Sequence, residues 1–129
     1  MHGSIASASC LACGATYPLA ETRARLEAAG GVPRCDCGEV LKPDVVLFGE
    51  MLDEAALDRA NRLACGANVL LCVGSSLEVW PVAELPEVTI GCGGQVAIVT
   101  KGRTPYDRDA AVRLDGDVVE ELEALLAAL

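Results

Sequence analysis

Four cysteines in the first third of the chain carry the clearest chemistry. They stand as Cys10-Leu11-Ala12-Cys13 and Cys35-Asp36-Cys37, with 21 residues between the pairs. Four thiolates in two close pairs make a closed tetrahedral site for Zn²⁺. The first pair has the usual two-residue gap and the second only one. Gly14 and Gly38 each follow the second cysteine of a pair, where a chain turning around a metal needs a positive φ. Two disulfides or four unconnected core thiols are the competing readings. No basic stretch followed by an apolar run opens the sequence, so no secretory leader is read there. A reducing, cytoplasmic compartment is therefore expected, which argues against disulfides. The reading is one structural Zn²⁺ on Cys10, Cys13, Cys35 and Cys37.

Other reactive types are sparse. His2 is the only histidine, and by itself it reads as a side chain on a frayed terminus. Cys65, Cys72 and Cys92 lie in apolar or glycine-rich surroundings and read as small buried hydrophobes. Gly74-Ser75-Ser76 follows a run of apolar residues and by itself reads first as an ordinary turn; at the C-terminal end of a strand, small residues also admit a ligand to the backbone and two hydroxyls can bond phosphate or ribose.

The elements that position these groups follow from pattern. Pro18 to Ala29 reads as a helix with Leu19, Arg23 and Leu26 on one face, stopped by Gly30-Gly31. Lys42-Pro43-Asp44 closes this small module, whose folding a metal must support. Val45 to Phe48 reads as a strand, and Asp53 precedes a helix with Ala56, Leu57, Ala60, Leu63 and Ala64 on one face. Val69 to Val73 is continuously apolar, as a strand covered on both faces should be. Pro81 to Ile90 reads as helix with Pro86 in its first turn or at a kink, and Gly91-Cys92-Gly93-Gly94 as a turn into the strand Gln95–Thr100. A short strand over 111–114 follows. Asp117-Val118-Val119-Glu120 has the form of a capping box for a helix carrying Val119, Leu122, Leu125, Leu126 and Leu129. Strand and helix alternate from residue 45 onward, which predicts an α/β fold with a parallel sheet.

Composition narrows the partners. The 129 residues are 52% hydrophobic, enough for a core of mostly Leu, Val and Ala, since only one Phe, two Tyr and one Trp are present. A net charge of −9 argues against nucleic acid as a surface partner. Apolar runs of about five residues are too short for a membrane helix.

Taken in order, these motifs resemble the C-terminal part of the sirtuins, NAD-dependent protein-lysine deacylases. His2-Gly3 resembles the family's catalytic His-Gly, and Cys10, Cys13, Cys35 and Cys37 its zinc ligands. Lys42 to Glu50 resembles the segment that pairs with the substrate peptide. Gly74-Ser75-Ser76-Leu77, with Pro81 beyond it, resembles the motif at the NAD site. Lys101-Gly102, Thr104-Pro105 and Asp107 resemble the loop beside the adenosine ribose, and Asp117-Val118 the turn near the adenine.

The resemblance implies that His2 acts as general base toward a ribose hydroxyl while the acyl group passes from lysine to ADP-ribose. It implies that Val46, Phe48 and Gly49 line the channel for an acylated-lysine peptide by strand addition. It implies NAD⁺ on Gly74, Ser75, Ser76, Thr100, Lys101, Gly102, Asp117 and Val118. Thr100 departs from the pattern, because the family commonly has an asparagine there. The family's Gly-Ala-Gly and Gln-Asn-x-Asp motifs do not occur in residues 1–129. The expected architecture is a catalytic-histidine and zinc module over 1–42 and the C-terminal half of a Rossmann-like sheet over 43–129. The expectation for this chain alone is no NAD turnover and self-association through an uncovered sheet. The alternative is a non-catalytic, zinc-containing peptide-binding module.

Overall fold

The computed structural model describes residues 1–128, so the expected place of Leu129 on the last helix lies outside the described residues. The chain divides into two compact units, Met1–Asp53 and Glu54–Leu129. Residues 43–53, which the sequence suggested as the start of the second unit, go with the first.

The first unit is an antiparallel sheet with a metal-type loop cluster at one end. It contains β1 (Gly3–Cys10), β2 (Thr16–Pro18), α1 (Leu19–Ala29) and β3 (Leu41–Val45), with strand order β2-β1-β3. The terminus is not frayed in its backbone: Gly3 pairs with Val45, and the Val46 N–H donates to the His2 carbonyl at 2.9 Å. Gly3 has φ +73°, and a Cβ there would run into the Asp44 carbonyl, so the position accepts only glycine. The expected strand over Val45–Phe48 is displaced toward the N-terminus. Lys42-Pro43-Asp44 does not close a module but lies within β3, and residues 46–50 form a loop and turn. Pro43 fits because β3 is an edge strand, where a missing N–H breaks no ladder. The core is small: Ala8, Cys10, Tyr17, Cys35 and Leu41, with Ala15 against it. Helix α1 buries no residue, so Leu19, Arg23 and Leu26 do not form a packed face. Gly30 ends it in the left-handed region.

The second unit is α/β. It runs α2 (Glu54–Cys65), β4 (Val69–Val73), a 3₁₀ turn (Val82–Glu84), α3 (Leu85–Gly91), β5 (Gln95–Val99), β6 (Val112–Leu114) and α4 (Val118–Ala127). The sheet is parallel with order β4-β5-β6, as the alternation predicts. Val96 and Ile98 of the central strand are fully buried, and Cys72, Leu77, Leu70, Tyr106 and Ala110 pack with them. Pro86 sits in the first turn of α3, where its missing N–H costs nothing.

Three expectations change here. Strand β4 is covered on one face only: Leu70 and Cys72 turn inward, while Val69, Leu71 and Val73 are exposed at the sheet's edge. On α2, Ala64 is buried but Leu63 is 65% exposed, so Leu63 leaves the apolar face. Cys65 and Cys92 are exposed and joined in a disulfide, and only Cys72 behaves as a small buried hydrophobe. A pairing that needs two helix ends to meet is invisible to local pattern. Among the described residues, no helix is long and apolar enough to cross a membrane.

Candidate functional site

Both cysteine pairs reach one point in the first unit. Cys10 ends β1 and Cys13 lies in the turn to β2, closed by Gly14 N–H to the Cys10 carbonyl at 3.1 Å. Cys35 and Cys37 sit in a second turn, closed by Gly38 N–H to the Cys35 carbonyl at 2.9 Å. Gly14 and Gly38 have φ of +72° and +91°, the positive values the sequence suggests. The four Sγ atoms lie within 4.8 Å of one another, with Cys10–Cys37 at 3.5 Å and Cys13–Cys35 at 3.6 Å. Ligands about 2.3 Å from a tetrahedral zinc stand roughly 3.8 Å apart, so these spacings fit the ion. None of the four is in a disulfide.

Electrostatics describe the same preference. The Cys37 N–H and then the Tyr17 hydroxyl favour the Cys35 thiolate and bring its pKa down to about 6. The N–H groups of Cys13 and Ala12 lower Cys10 likewise. At Cys37 the Glu39 N–H favours ionisation, but the sulfurs of Cys10 and Cys35 outweigh it and push the thiol up to about 12. Cys13 is raised too: the Ala15 N–H favours its thiolate, and Cys35 and Cys10 oppose it more strongly. Two thiolates therefore resist the other two, and a divalent cation is the partner that lets all four ionise together.

Sequence reasoning missed the groups behind this cluster. Tyr17 is buried, with its hydroxyl 3.2 Å from Cys35 Sγ. The Arg25 guanidinium lies 4.3 Å above the Tyr17 ring and bonds Asp36 Oδ1 at 2.8 Å. The available signal was faint: one of only two tyrosines, close to a cysteine turn.

His2 and the expected peptide segment share this unit. The Val46 N–H donates to the His2 carbonyl, and β3 is the free edge beside them. Beyond Val46 the chain turns at Leu47–Glu50: the Glu50 N–H bonds the Leu47 carbonyl at 3.0 Å, and Glu50 Oε2 accepts from the Leu47 N–H at 2.9 Å. Lys42 Nζ holds Glu50 Oε2 from the other side at 2.9 Å. Gly49 has φ +90°, and Phe48 at 97% exposure stands free of the core.

In the second unit, the groups expected at a cofactor follow the C-terminal ends of the strands. Gly74 leaves β4 with φ +62°, its N–H on the Val99 carbonyl at 2.9 Å. Ser75 Oγ accepts from the Leu77 N–H at 3.2 Å, and Ser76 is exposed. Thr100 is buried, and its N–H bonds the Leu114 carbonyl at 3.1 Å. Lys101 Nζ reaches Asp117 Oδ2 at 3.0 Å, and Asp117 caps α4 by accepting from Val119 N–H at 3.0 Å, with Val118 as the first helical residue. No reciprocal bond from Glu120 completes a capping box among the described residues; Glu121 Oε1 instead accepts from the N–H of Gly116, the residue before the cap, at 3.1 Å. Arg113, also missed, braces the loop through the carbonyls of Thr100, Leu114 and Gly102, and its Nε lies 3.0 Å from Asp107 Oδ1. Asp107 in turn accepts from the Thr104 hydroxyl at 2.7 Å. A cation in the middle of a short strand was the signal.

Known proteins match this arrangement. The Sir2 family model matches residues 1–81. The NAD-dependent protein deacetylase of Thermotoga maritima is 39% identical over 121 residues, covering 93% of this chain and 49% of its own length. The NAD-dependent protein deacetylase 2 of Streptomyces coelicolor is 38% identical over 130 residues, with 100% and 54% coverage. A solved structure of Sir2Tm bound to a propionylated peptide superposes with a TM-score of 0.94 at 36% identity, covering 99% of this chain and 54% of that one. A Sir2–p53 peptide–NAD⁺ structure also gives 0.94 at 36% identity, with 99% and 53% coverage. The chain thus spans about half the length of the curated relatives it matches. Its parallel sheet, four-cysteine cluster and collinear motifs agree with these matches, and the chain belongs to the Sir2 family.

Proposed function

We propose that this chain supplies the catalytic histidine, the peptide-binding edge, the structural zinc site and one side of the cofactor site of an NAD-dependent protein-lysine deacylase. The observation that carries the reading is the backbone bond from Val46 to His2. It sets the proposed base next to the segment expected to hold the acylated lysine. His2 takes a proton from a ribose hydroxyl. The segment from Val45 to Phe48 pairs with an extended peptide, and Val46, Phe48 and Gly49 line the path of the lysine stem. NAD⁺, when bound, supplies the ribose that accepts the acyl group. Gly74, Ser75, Ser76, Thr100, Lys101, Gly102, Asp117 and Val118 border it: Gly74 and Gly102 let it approach the backbone, Ser75 and Ser76 offer hydroxyls, and Lys101 offers the one ammonium. Cys10, Cys13, Cys35 and Cys37 hold zinc with no position left open, so the ion serves the fold and not the reaction.

The exposed β4 face supports the expectation that residues 1–129 by themselves self-associate. Titration of the zinc-loaded chain with an acetyl-lysine peptide, followed by amide NMR, tests the peptide site. Shifts at residues 44–50 support it. Shifts confined elsewhere, or none at millimolar peptide, contradict it.

A further inference from the structure

Cys65 and Cys92 lie outside the four-cysteine cluster and outside the proposed peptide and cofactor groups. Cys65 is the last residue of α2, and Cys92 is the C-cap of α3. Their Cα atoms are 5.2 Å apart, and both residues are exposed. The helix ends are fastened independently of the sulfurs. Thr89, fully buried, donates its hydroxyl to the Ala64 carbonyl at 2.9 Å. Gly94 lies so close to the Ala67 carbonyl and Thr89 Cγ2 that any Cβ there would collide with both. The two sulfurs therefore stay neighbours after reduction, which is the geometry a reversible pair requires. The other cysteines are less available: four gather at one cluster, and Cys72 is buried in β4.

We propose that Cys65 and Cys92 form a reversible dithiol–disulfide site that exchanges with low-molecular-weight thiols and disulfides. In the oxidising direction, one cysteine thiolate attacks a sulfur of the small disulfide and expels a thiolate. The second cysteine thiolate then attacks the protein sulfur of the mixed disulfide, forming the Cys65–Cys92 bond and expelling the second thiolate. Two electrons pass from the protein to the small disulfide, and the two protons lost by the cysteines go to the expelled thiolates. The bond closes a loop of sequence separation 27 that contains β4, the Gly74-Ser75-Ser76 turn and α3. Oxidation thus adds a covalent closure to the segment that carries those small residues, and reduction removes that closure while the Thr89–Ala64 and Gly94–Ala67 contacts remain.

The test is the full chain, zinc-saturated and equilibrated with oxidised and reduced glutathione at a series of ratios. Denaturing alkylation and intact mass follow. Five alkylated cysteines in the oxidised limit and seven in the reduced limit are expected, with peptide mapping linking Cys65 to Cys92. Reduction should lower the melting temperature by roughly 10 °C. The Cys65→Ser, Cys92→Ser double variant should melt at the lower temperature and ignore the ratio. Seven alkylated cysteines at every ratio, a different linkage, or an equal response from the double variant would overturn the proposal. The alkylation count needs no variant to fold.

Discussion

Lys101 Nζ lies 3.0 Å from Asp117 Oδ2, an ion pair that ties the loop after β5 to the N-cap of α4. Both side chains are largely in solvent, at 68% and 45% exposure, so screening leaves the pair itself little weight. The cap bond to the Val119 N–H is the larger contribution. Asp117→Ala is expected to lower the melting temperature by a few degrees, and Lys101→Ala by clearly less. An equal loss in both variants would show that the ion pair dominates.

Acid should act through the same carboxylate. Lys101, then the Val119 N–H, hold Asp117 below its ordinary pKa, and the Thr104 hydroxyl does so at Asp107. A carboxyl with a depressed folded pKa binds protons more readily when unfolded. Its contribution is complete above the unfolded value, about 4, and is lost as pH falls through the lower folded value. The wild-type chain should lose stability below about pH 4, and Asp117→Asn together with Asp107→Asn should flatten that fall. Thermal melts between neutral and acid pH check it. An unchanged acid limb in the double variant contradicts it.

Arg113 is expected to hold the 100–107 loop in shape, since one guanidinium serves three carbonyls and Asp107. Arg113→Met keeps the stem and removes those bonds. Hydrogen exchange at the Thr104 amide, which bonds Asp107 Oδ1 at 3.1 Å, should speed up by about tenfold or more. No change there would mean that Arg113 does not organise the loop.

Metal analysis should find one zinc per chain, and none tightly held in the Cys35→Ser, Cys37→Ser double variant. Chelation should unfold residues 10–40 first, because the core of that unit is five residues and two of them, Cys10 and Cys35, belong to the proposed zinc cluster. Less than about half an equivalent after gentle purification, or zinc retained by the variant, contradicts the assignment.

Legibility followed the range of the interactions. Cys10, Cys13, Cys35 and Cys37 were readable because a metal imposes spacing on the chain itself. The β4 run and its Gly74-Ser75-Ser76 turn were readable because an apolar stretch and a glycine break are local. β3 was misplaced because pairing with β1 decides it, and that pairing draws Pro43 and Asp44 into a strand that local propensity would end. Tyr17 behind Cys35, Arg113 across the 100–107 loop and the Cys65–Cys92 bond depend on contacts between distant positions. Nothing in their immediate neighbours announces them.

If His2 is the proposed base of a Sir2-type deacylation, nicotinamide release must depend on it. The assay uses NAD⁺ and an acetyl-lysine peptide, with the 129-residue chain alone and with it joined to the amino-terminal half of the Thermotoga maritima deacetylase. Folding of the joined protein is verified by its zinc content and circular dichroism. Residues 1–129 alone should give no turnover, because a dinucleotide's pyrophosphate needs a glycine-rich turn at a helix N-terminus and the described residues contain no strand–Gly-x-Gly–helix unit. The joined protein should release nicotinamide, and His2→Ala should abolish that release. Turnover in the joined protein that survives His2→Ala would rule out His2 as the base, and turnover by residues 1–129 alone would show that they need no glycine-rich turn from another segment.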